Sequence, residues 1–265
     1  MFTNGATEDF YLIAQLYARK RVEIVAPTFS EYEDSCDIFN VEYRLISRTE
    51  IIATKADVIF ICNPNNPDGT IFSKGELETF FKAKPNTTFV IDEAYIEFTN
   101  KAESVSTLID TYTNLIIVRS LTKTFAIPGL RLGYVIANQN TVNKFLNIKI
   151  PWSVNLLAIK AGEFIFKNYE DFQFNVSNLI EETRIFKEQL KVLNGFKVLE
   201  SSTSYFLVEL LHKTAKELKE YLITKHYILV RDATNFKNLK GEYIRLSTQN
   251  KKANQALVTA LKKWI

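Results

Sequence analysis

The 265-residue sequence has few cysteines and histidines, and this limits the metal and nucleophile chemistry available to it. It contains only Cys36, Cys62, His212 and His226. They do not form the close pairs of a zinc site, and a histidine-based triad would lack its usual parts, so we predict no metal. The N-terminus does not combine a basic flank, an apolar run and a small-residue cleavage site. We therefore predict a cytoplasmic protein.

The sequence also lacks long apolar runs and a strong excess of charge of one sign. The longest apolar stretches, such as residues 115–118, are far too short to cross a bilayer as a helix. The 33 basic and 30 acidic residues are spread along the chain and give a net charge of +3, which argues against nucleic-acid binding. A hydrophobic fraction of 46% is typical of globular proteins. We expect a small-molecule partner.

Short runs rich in valine and isoleucine alternate with helical stretches in the first half of the chain. This alternation predicts an α/β fold with a mainly parallel sheet. One helix is predicted over Glu8–Lys20, and another begins at the capping-box pair Ser73 and Glu76 and runs towards Lys84. The predicted strands are Val22–Val25, Val41–Leu45, Asp57–Ile61, Thr88–Ile91, Leu115–Val118 and Leu132–Ile136.

The pattern changes after Pro151. From Asn155 to about Leu193 there is almost no glycine or proline, and apolar residues at helical spacing predict long helices. Strands and helices then alternate again, so we predict a large domain over residues 1–170 and a small α+β domain over 171–265. Its predicted strands are Phe196–Leu199, Ser204–Leu210, Tyr227–Val230 and Tyr243–Leu246, with helices near Lys213–Lys225 and Lys251–Trp264.

Three polar segments follow predicted strands, where ligands collect in open parallel sheets. They are residues 62–70 (CNPNNPDGT), 92–95 (DEAY) and 119–125 (RSLTKTF). Each alone has an ordinary explanation as a turn, a helix cap or a solvated lysine. In this order, and with residues 128–134 (PGLRLGY), they resemble the motif set of the fold-type I pyridoxal-phosphate (PLP) enzymes, specifically the class I and II aminotransferases.

Within that superfamily the chain most resembles histidinol-phosphate aminotransferase and threonine-phosphate decarboxylase. The resemblance covers nearly the whole chain, through residues 4–8, 27–32, 151–155 and 228–232 as well as the motifs above. It implies the aspartate aminotransferase-like fold, with a large α/β domain and a small C-terminal domain. It also implies PLP as cofactor, an amino acid and a 2-oxo acid as substrates, and a homodimer.

The resemblance assigns three residues to catalysis. Lys123 matches the lysine that holds the PLP aldehyde as a Schiff base and later moves a proton, which requires an amine whose pKa can be depressed. Asp92 matches the carboxylate that keeps the ring nitrogen protonated and electron-withdrawing. Tyr95, together with Asn66, matches the pair that hydrogen-bonds to the phenolic oxygen of the ring.

Further matched residues would bind the rest of the cofactor and the substrate. Phe29 either stacks on the cofactor ring or is a core residue. Arg245 matches the arginine that binds the substrate α-carboxylate in a planar, bidentate manner. Arg231 either binds the distal group of the substrate or forms a surface salt bridge. A helix N-terminus and an arginine suit the phosphate, and the matching positions are Gly5, Ala6, Thr7, Ser120, Thr122 and Arg131.

Three hypotheses on function follow, and transamination leads them. PLP-dependent decarboxylation of a phosphorylated amino acid such as threonine phosphate is the second, because both reactions begin from the same bound state and the motifs do not fix which α-carbon bond breaks. The third concerns residues 4–8: relatives carry a substantial segment before this motif, whereas three residues precede it here. On that ground a folded but non-catalytic remnant is also considered.

Overall fold

A computed structural model of the chain describes residues 1–264, which form two β-sheets. In the larger sheet, the strand order is β1-β7-β6-β5-β4-β2-β3. Neighbouring strands from β3 across to β6 are parallel, whereas β7 and β1 are antiparallel to their neighbours, which confirms the mainly parallel α/β sheet. The strands are β1 (Phe2–Thr3), β2 (Val22–Val25), β3 (Tyr43–Ile46), β4 (Val58–Cys62), β5 (Thr88–Asp92), β6 (Leu115–Ser120) and β7 (Gly133–Ala137).

Helices flank this sheet, and two of them test the sequence predictions directly. The Ser73 side chain accepts a hydrogen bond from the amide of Glu76 and so caps α3 as predicted. The predicted helix Glu8–Lys20 is wrong at its end, because the Lys20 amide bonds the carbonyl of Tyr17 in a turn that leads into β2. The helices are α1 (Ala6–Leu16), α2 (Glu31–Ile38), α3 (Lys74–Ala83), α4 (Leu121–Thr124), α5 (Gln139–Ile148) and α6 (Leu156–Lys167).

The smaller sheet is antiparallel, in the order β10-β11-β9-β8. The predicted strand Tyr227–Val230 is wrong. Tyr227 has a left-handed backbone (φ 55°) that ends the preceding helix, so pairing starts only at Arg231. The elements are α7 (Val176–Lys191), β8 (Phe196–Val198), β9 (Tyr205–Leu210), α8 (Ala215–His226), β10 (Arg231–Asp232), β11 (Glu242–Ser247) and α9 (Lys251–Trp264).

The residue-170 boundary predicted from the sequence lies between α6 and α7. Helix α6 packs Ala158 and Ile165 against Leu121 and Leu132 of the first half of the chain. Helix α7 instead contributes Phe186 and its neighbours to the hydrophobic core of the smaller sheet. The division into two domains at this residue stays a prediction.

Asp9 of α1 is a buried carboxyl group whose charged form the fold opposes. Its Oδ2 accepts a hydrogen bond from the Thr3 hydroxyl at 3.0 Å, but its Oδ1 has no hydrogen-bond partner in the described part of the chain. Burial, only partly offset by Thr3, holds the pKa of Asp9 well above its ordinary value of 3.8. Such a carboxyl costs stability as the pH rises above its unfolded-state pKa. We therefore expect Asp9→Asn to raise the Tm at pH 8, with little gain near pH 4.

Thermal denaturation at the two pH values measures this effect. A gain of about 1 kcal/mol would raise the Tm by roughly 2–4 °C. Asp57→Asn is the matched control, because a hydrogen bond from the Arg21 amide lowers the pKa of Asp57. The charged form of Asp57 stabilises the fold above its unfolded-state pKa, so this variant should lose stability at pH 8. An equal loss of Tm at both pH values in Asp9→Asn would contradict the argument.

Candidate active site

The carboxyl ends of β4, β5 and β6 open into a cavity of about 220 Å³ that residues of the smaller sheet also line. This cavity brings together nearly all the site residues predicted from the sequence. Gly5 lies beside it, next to Arg131. The predicted residues that line the cavity are Ala6, Thr7, Phe29, Asn66, Asp92, Tyr95, Ser120, Thr122, Lys123, Arg131, Arg231 and Arg245.

Asp92, the last residue of β5, places a buried carboxylate in the cavity wall. It is 4% exposed. Its Oδ2 accepts a hydrogen bond from the Tyr32 hydroxyl at 2.5 Å, and its Oδ1 accepts one from the Ala94 amide at 2.9 Å. Burial raises the pKa of Asp92, and these hydrogen bonds and the nearby Lys123 oppose the rise. The carboxylate is therefore held in one orientation.

Lys123 projects from α4, the single helical turn that follows β6. Ser120 caps this turn by accepting a hydrogen bond from the Thr122 amide. Lys123 remains accessible to solvent through the cavity. Partial burial lowers its pKa, and the positive charges of Arg245 and Arg131 lower it further, while Asp92 acts in the opposite direction. The amine is thus more readily deprotonated than an ordinary lysine, as a nucleophile or base requires.

A group of anion-binding donors lies at the start of α1. Ala6 and Thr7 provide first-turn amides, which have no acceptor within the helix. The hydroxyl oxygens of Ser120 and Thr122 are 2.8 Å apart, and both residues line the cavity. A Cβ atom on Gly5 would lie 2.5 Å from Nη2 of Arg131, and Gly5 also has a φ of 80°. Glycine therefore allows the guanidinium group to approach the helix terminus.

Two arginines of the smaller sheet face each other across β10 and β11. Arg231 and Arg245 are directly paired in the antiparallel register, and both line the cavity. The Nη1 atom of Arg245 donates a hydrogen bond to Oδ1 of Asn66. Arg231 is exposed and bonds Oδ1 of Asn235 at 2.9 Å, rather than a carboxylate. Like charges directly opposite each other are unfavourable, so this pair favours an anionic ligand.

Tyr95 and Phe29 each combine cavity and packing contacts. Burial raises the pKa of Tyr95, whose ring meets that of Tyr205 edge to face at 4.9 Å. Phe29 lines the cavity and also packs edge to face on Phe10 and Tyr32, at 6.3 and 5.9 Å. Phe29 therefore packs against the core and lines the cavity, and its stacking on the cofactor ring stays a prediction.

Several cavity residues had no role in the sequence prediction. Cys62 and Ala94 lie within the polar segments 62–70 and 92–95, so the same segments that predict the site also indicate their positions. Phe236 lies in a loop between β10 and β11, and no local pattern identifies it. Tyr32 does not line the cavity itself, but its hydroxyl bonds Asp92 and its ring packs on Phe10 and Phe29, all of which line it. The lining residues without a predicted role are Phe10, Ser30, Cys62, Ala94 and Phe236.

Two kinds of feature are absent from residues 1–264. No three His, Cys, Asp or Glu side chains converge as a metal site. In the same range, no helix has both the length and the apolar character needed to span a membrane.

Comparison with known proteins gives consistent matches over the whole chain. The L-threonine-O-3-phosphate decarboxylase structure from Porphyromonas gingivalis is 36% identical, with a TM-score of 0.96 over 100% of this chain and 82% of that one. The histidinol-phosphate aminotransferase structure from Clostridium acetobutylicum is 28% identical, with a TM-score of 0.92 over 100% and 83%. Histidinol-phosphate aminotransferase of Methanocaldococcus jannaschii is 30% identical over 92% of this chain and 69% of its own length.

The family model "Aminotransferase class I and II" matches residues 1–261. Enzymes of this family depend on PLP, so the cofactor predicted from the sequence is confirmed. The fold and the matched region agree with the predicted aspartate aminotransferase-like architecture. The chain belongs to the class I and II aminotransferase family of PLP-dependent enzymes.

Proposed function

We propose that this chain is an aminotransferase that moves an amino group between an amino acid, or a related phosphorylated amine, and a 2-oxo acid. One observation carries the proposal: the Lys123 amine, with its lowered pKa, shares a cavity with Asp92 and with an Arg245 guanidinium group bonded to Asn66. A nucleophilic amine, a buried carboxylate and a carboxylate-binding arginine are the groups that this reaction needs.

The donor set of the cavity fits PLP. The cofactor carries a phosphate dianion, a protonatable ring nitrogen, a phenolic oxygen and an aldehyde. Bound PLP supplies an electron-accepting ring that weakens the bonds at the substrate α-carbon. The residues we assign to these groups are Ala6, Thr7, Ser120, Thr122 and Arg131 for the phosphate, with Gly5 allowing their approach; Asp92 for the ring nitrogen; Asn66 and Tyr95 for the phenolic oxygen; Phe29 for the ring face; and Lys123 for the aldehyde.

Asn66 fixes Arg245 where a substrate carboxylate can bind. The Oδ1 of Asn66 accepts from Arg245, which leaves the Asn66 amino group free to donate into the cavity. A carboxylate bound by this guanidinium group would fix the orientation of the substrate, and transamination then requires Lys123 to remove the proton on the α-carbon. A base with a lowered pKa is suited to that transfer near neutral pH. The cavity thus supplies the base and the carboxylate-binding group that transamination needs.

Arg231 supports a substrate with a second anionic group. It lies directly opposite Arg245 on the neighbouring strand, is exposed at the cavity, and within residues 1–264 bonds Asn235 rather than a carboxylate. Two anions on one substrate would satisfy both arginines. A planar guanidinium group binds both phosphate and carboxylate groups through paired hydrogen bonds, so a phosphorylated substrate fits this pair of arginines.

Decarboxylation is the second candidate, and the similarity to L-threonine-O-3-phosphate decarboxylase favours it. Two assays with the PLP-loaded protein separate the reactions. Transamination of histidinol phosphate consumes a 2-oxo acid and produces the matching amino acid in equal amounts. Decarboxylation of threonine phosphate releases carbon dioxide and needs no 2-oxo acid. Release of carbon dioxide without an acceptor would overturn the aminotransferase proposal, and no turnover despite bound PLP would favour the non-catalytic hypothesis.

We also propose that the active form is a homodimer, as is typical of this family. Its support is an apolar surface on and before α6, where Trp152 is 96% exposed and Leu157 is 70% exposed. Exposed apolar patches of this kind mark interaction surfaces. The members of this α6 surface are Ile150, Trp152, Leu156, Leu157 and Phe164.

A charge placed in the α6 surface should weaken dimerisation. We expect Leu157→Glu to raise the dimer dissociation constant by at least about 30-fold, as for a residue at the centre of an interface. Sedimentation equilibrium measures the change. Val192→Glu is the control, because Val192 is likewise apolar and 76% exposed but belongs to the end of another helix, α7. A wild-type monomer, or an equal effect of the two variants, would refute this interface.

A further inference from the structure

Tyr32 presents a fixed hydrogen-bond donor to Asp92. It lies on α2, is fully buried, and its hydroxyl donates to Oδ2 of Asp92 at 2.5 Å. Its ring stacks on Phe60 at 5.2 Å and meets Phe10 edge to face at 4.8 Å. Burial raises the pKa of Tyr32 well above its ordinary value, so the hydroxyl keeps its proton and remains a donor. The surrounding rings leave the hydroxyl little freedom to move.

The other two contacts of Asp92 are a backbone amide and a thiol. The amide of Ala94 bonds Oδ1, whereas the second neighbour of Oδ2 is the Cys62 thiol at 4.0 Å, which is a weak donor. Tyr32 is therefore the one side-chain hydroxyl within the described chain that bonds this carboxylate. The titratable groups that face Asp92 from the surrounding elements are Tyr32 of α2, Cys62 of β4, Tyr95 after β5, Lys123 of α4 and Asp9 of α1.

We infer that Tyr32 is a positioning residue: its hydrogen bond keeps Asp92 ionised and oriented, so that the proton shared with the cofactor resides on the ring nitrogen. This inference rests on the proposed function, in which Asp92 faces that nitrogen. A hydrogen bond to an anion favours the ionised form, so its loss would move the shared proton towards Asp92. The pyridine ring of the cofactor would then withdraw electrons less strongly.

Tyr32→Phe removes the donor and keeps the ring that packs in the core. The Lys123 nitrogen bonded to PLP should then hold its proton more tightly, because a less electron-withdrawing ring stabilises the protonated form. We expect the pH midpoint of the visible absorbance change of the PLP-loaded protein to rise by about 1 unit, a tenfold effect of the size associated with a hydrogen bond to a charged group. Spectrophotometric titration measures this midpoint without any turnover.

Two further variants separate positioning from packing. Site-specific replacement of Tyr32 by 3-fluorotyrosine keeps the ring and gives a stronger donor, so the midpoint should fall. Tyr17→Phe also removes the hydroxyl of a partly buried tyrosine. This hydroxyl bonds that of Thr88 at 3.3 Å, and neither residue lines the cavity, so the midpoint should stay unchanged. If Tyr32 only packed in the core, the phenylalanine and 3-fluorotyrosine variants would not shift the midpoint in opposite directions.

The outcomes distinguish this inference from the proposed function. The inference would be overturned if the wild-type protein formed the PLP band but Tyr32→Phe and the fluorinated protein had the same pH midpoint as the wild type. The proposed function would then stand. If the wild-type protein formed no PLP band, both would fall together.

Discussion

Replacing Lys123 with alanine should abolish covalent retention of PLP and lower kcat by at least about 10⁴-fold. In the proposed function the variant loses both the amine that binds the aldehyde and the base that takes the α-proton, and a positioned base alone contributes about 10²–10⁴-fold. The phosphate donors at the start of α1 and the Asp92 carboxylate remain, so PLP should still bind reversibly. Borohydride reduction followed by mass spectrometry of tryptic peptides would find PLP on Lys123 in the wild type and on no lysine in the variant.

Lys82→Ala is the matched control for this experiment. Lys82 is an exposed lysine of α3 that pairs with Glu78, and its loss should leave both PLP labelling and kcat unchanged. Labelling of a different lysine in the wild-type protein, or a Lys123→Ala protein that works at the normal rate, would remove Lys123 from the proposed site.

Asp92→Asn should lower kcat by about 10³-fold while PLP stays attached to Lys123. The amide retains the shape of the carboxylate and can still accept the Tyr32 hydrogen bond, but it cannot stabilise a positive charge on the ring nitrogen. Removing one preorganised electrostatic contact from an active site costs about 10²–10³-fold, and here a full charge is lost. Single-turnover measurements of proton loss from the substrate α-carbon would isolate the affected step.

The stability of this variant provides an internal check. Burial raises the pKa of Asp92, so the fold opposes its charge and the asparagine protein should have an equal or higher Tm at pH 8. A loss of activity would then not result from unfolding. A variant within a few-fold of the wild-type rate would show that Asp92 does not serve the cofactor ring.

The sequence predicted the central strands well because their signal is local. Valine and isoleucine runs mark the buried strands β2, β4, β5 and β6, and Ser73 marks the start of α3. The failures occur where a single backbone angle or a change of direction decides the structure. Tyr227 ends a helix in the left-handed region, although its flanking residues have the composition of a strand.

The site was predictable as a set of residues but not as a geometry. Lys123, Asp92 and Arg245 were identified from motifs that resemble a known family, and the structure brings them into one cavity. The bond between Arg245 and Asn66 joins residues 179 positions apart, and the Tyr32–Asp92 bond joins residues 60 apart. No local pattern specifies such contacts, because they depend on how the two sheets and α2 pack together.

The cavity is lined by residues from both ends of the chain, from Ala6 in α1 to Arg245 in β11, and this affects how the site forms during protein synthesis. A chain emerging from the ribosome presents Lys123 and Asp92 well before Arg245 is made. Contacts between such distant segments form late and slowly, and partly folded states expose surfaces that aggregate. PLP, the cofactor derived from vitamin B6, would bind only the completed cavity and so stabilise the native state of the finished chain by mass action. Vitamin B6 supply would then influence the yield of folded protein as well as its activity.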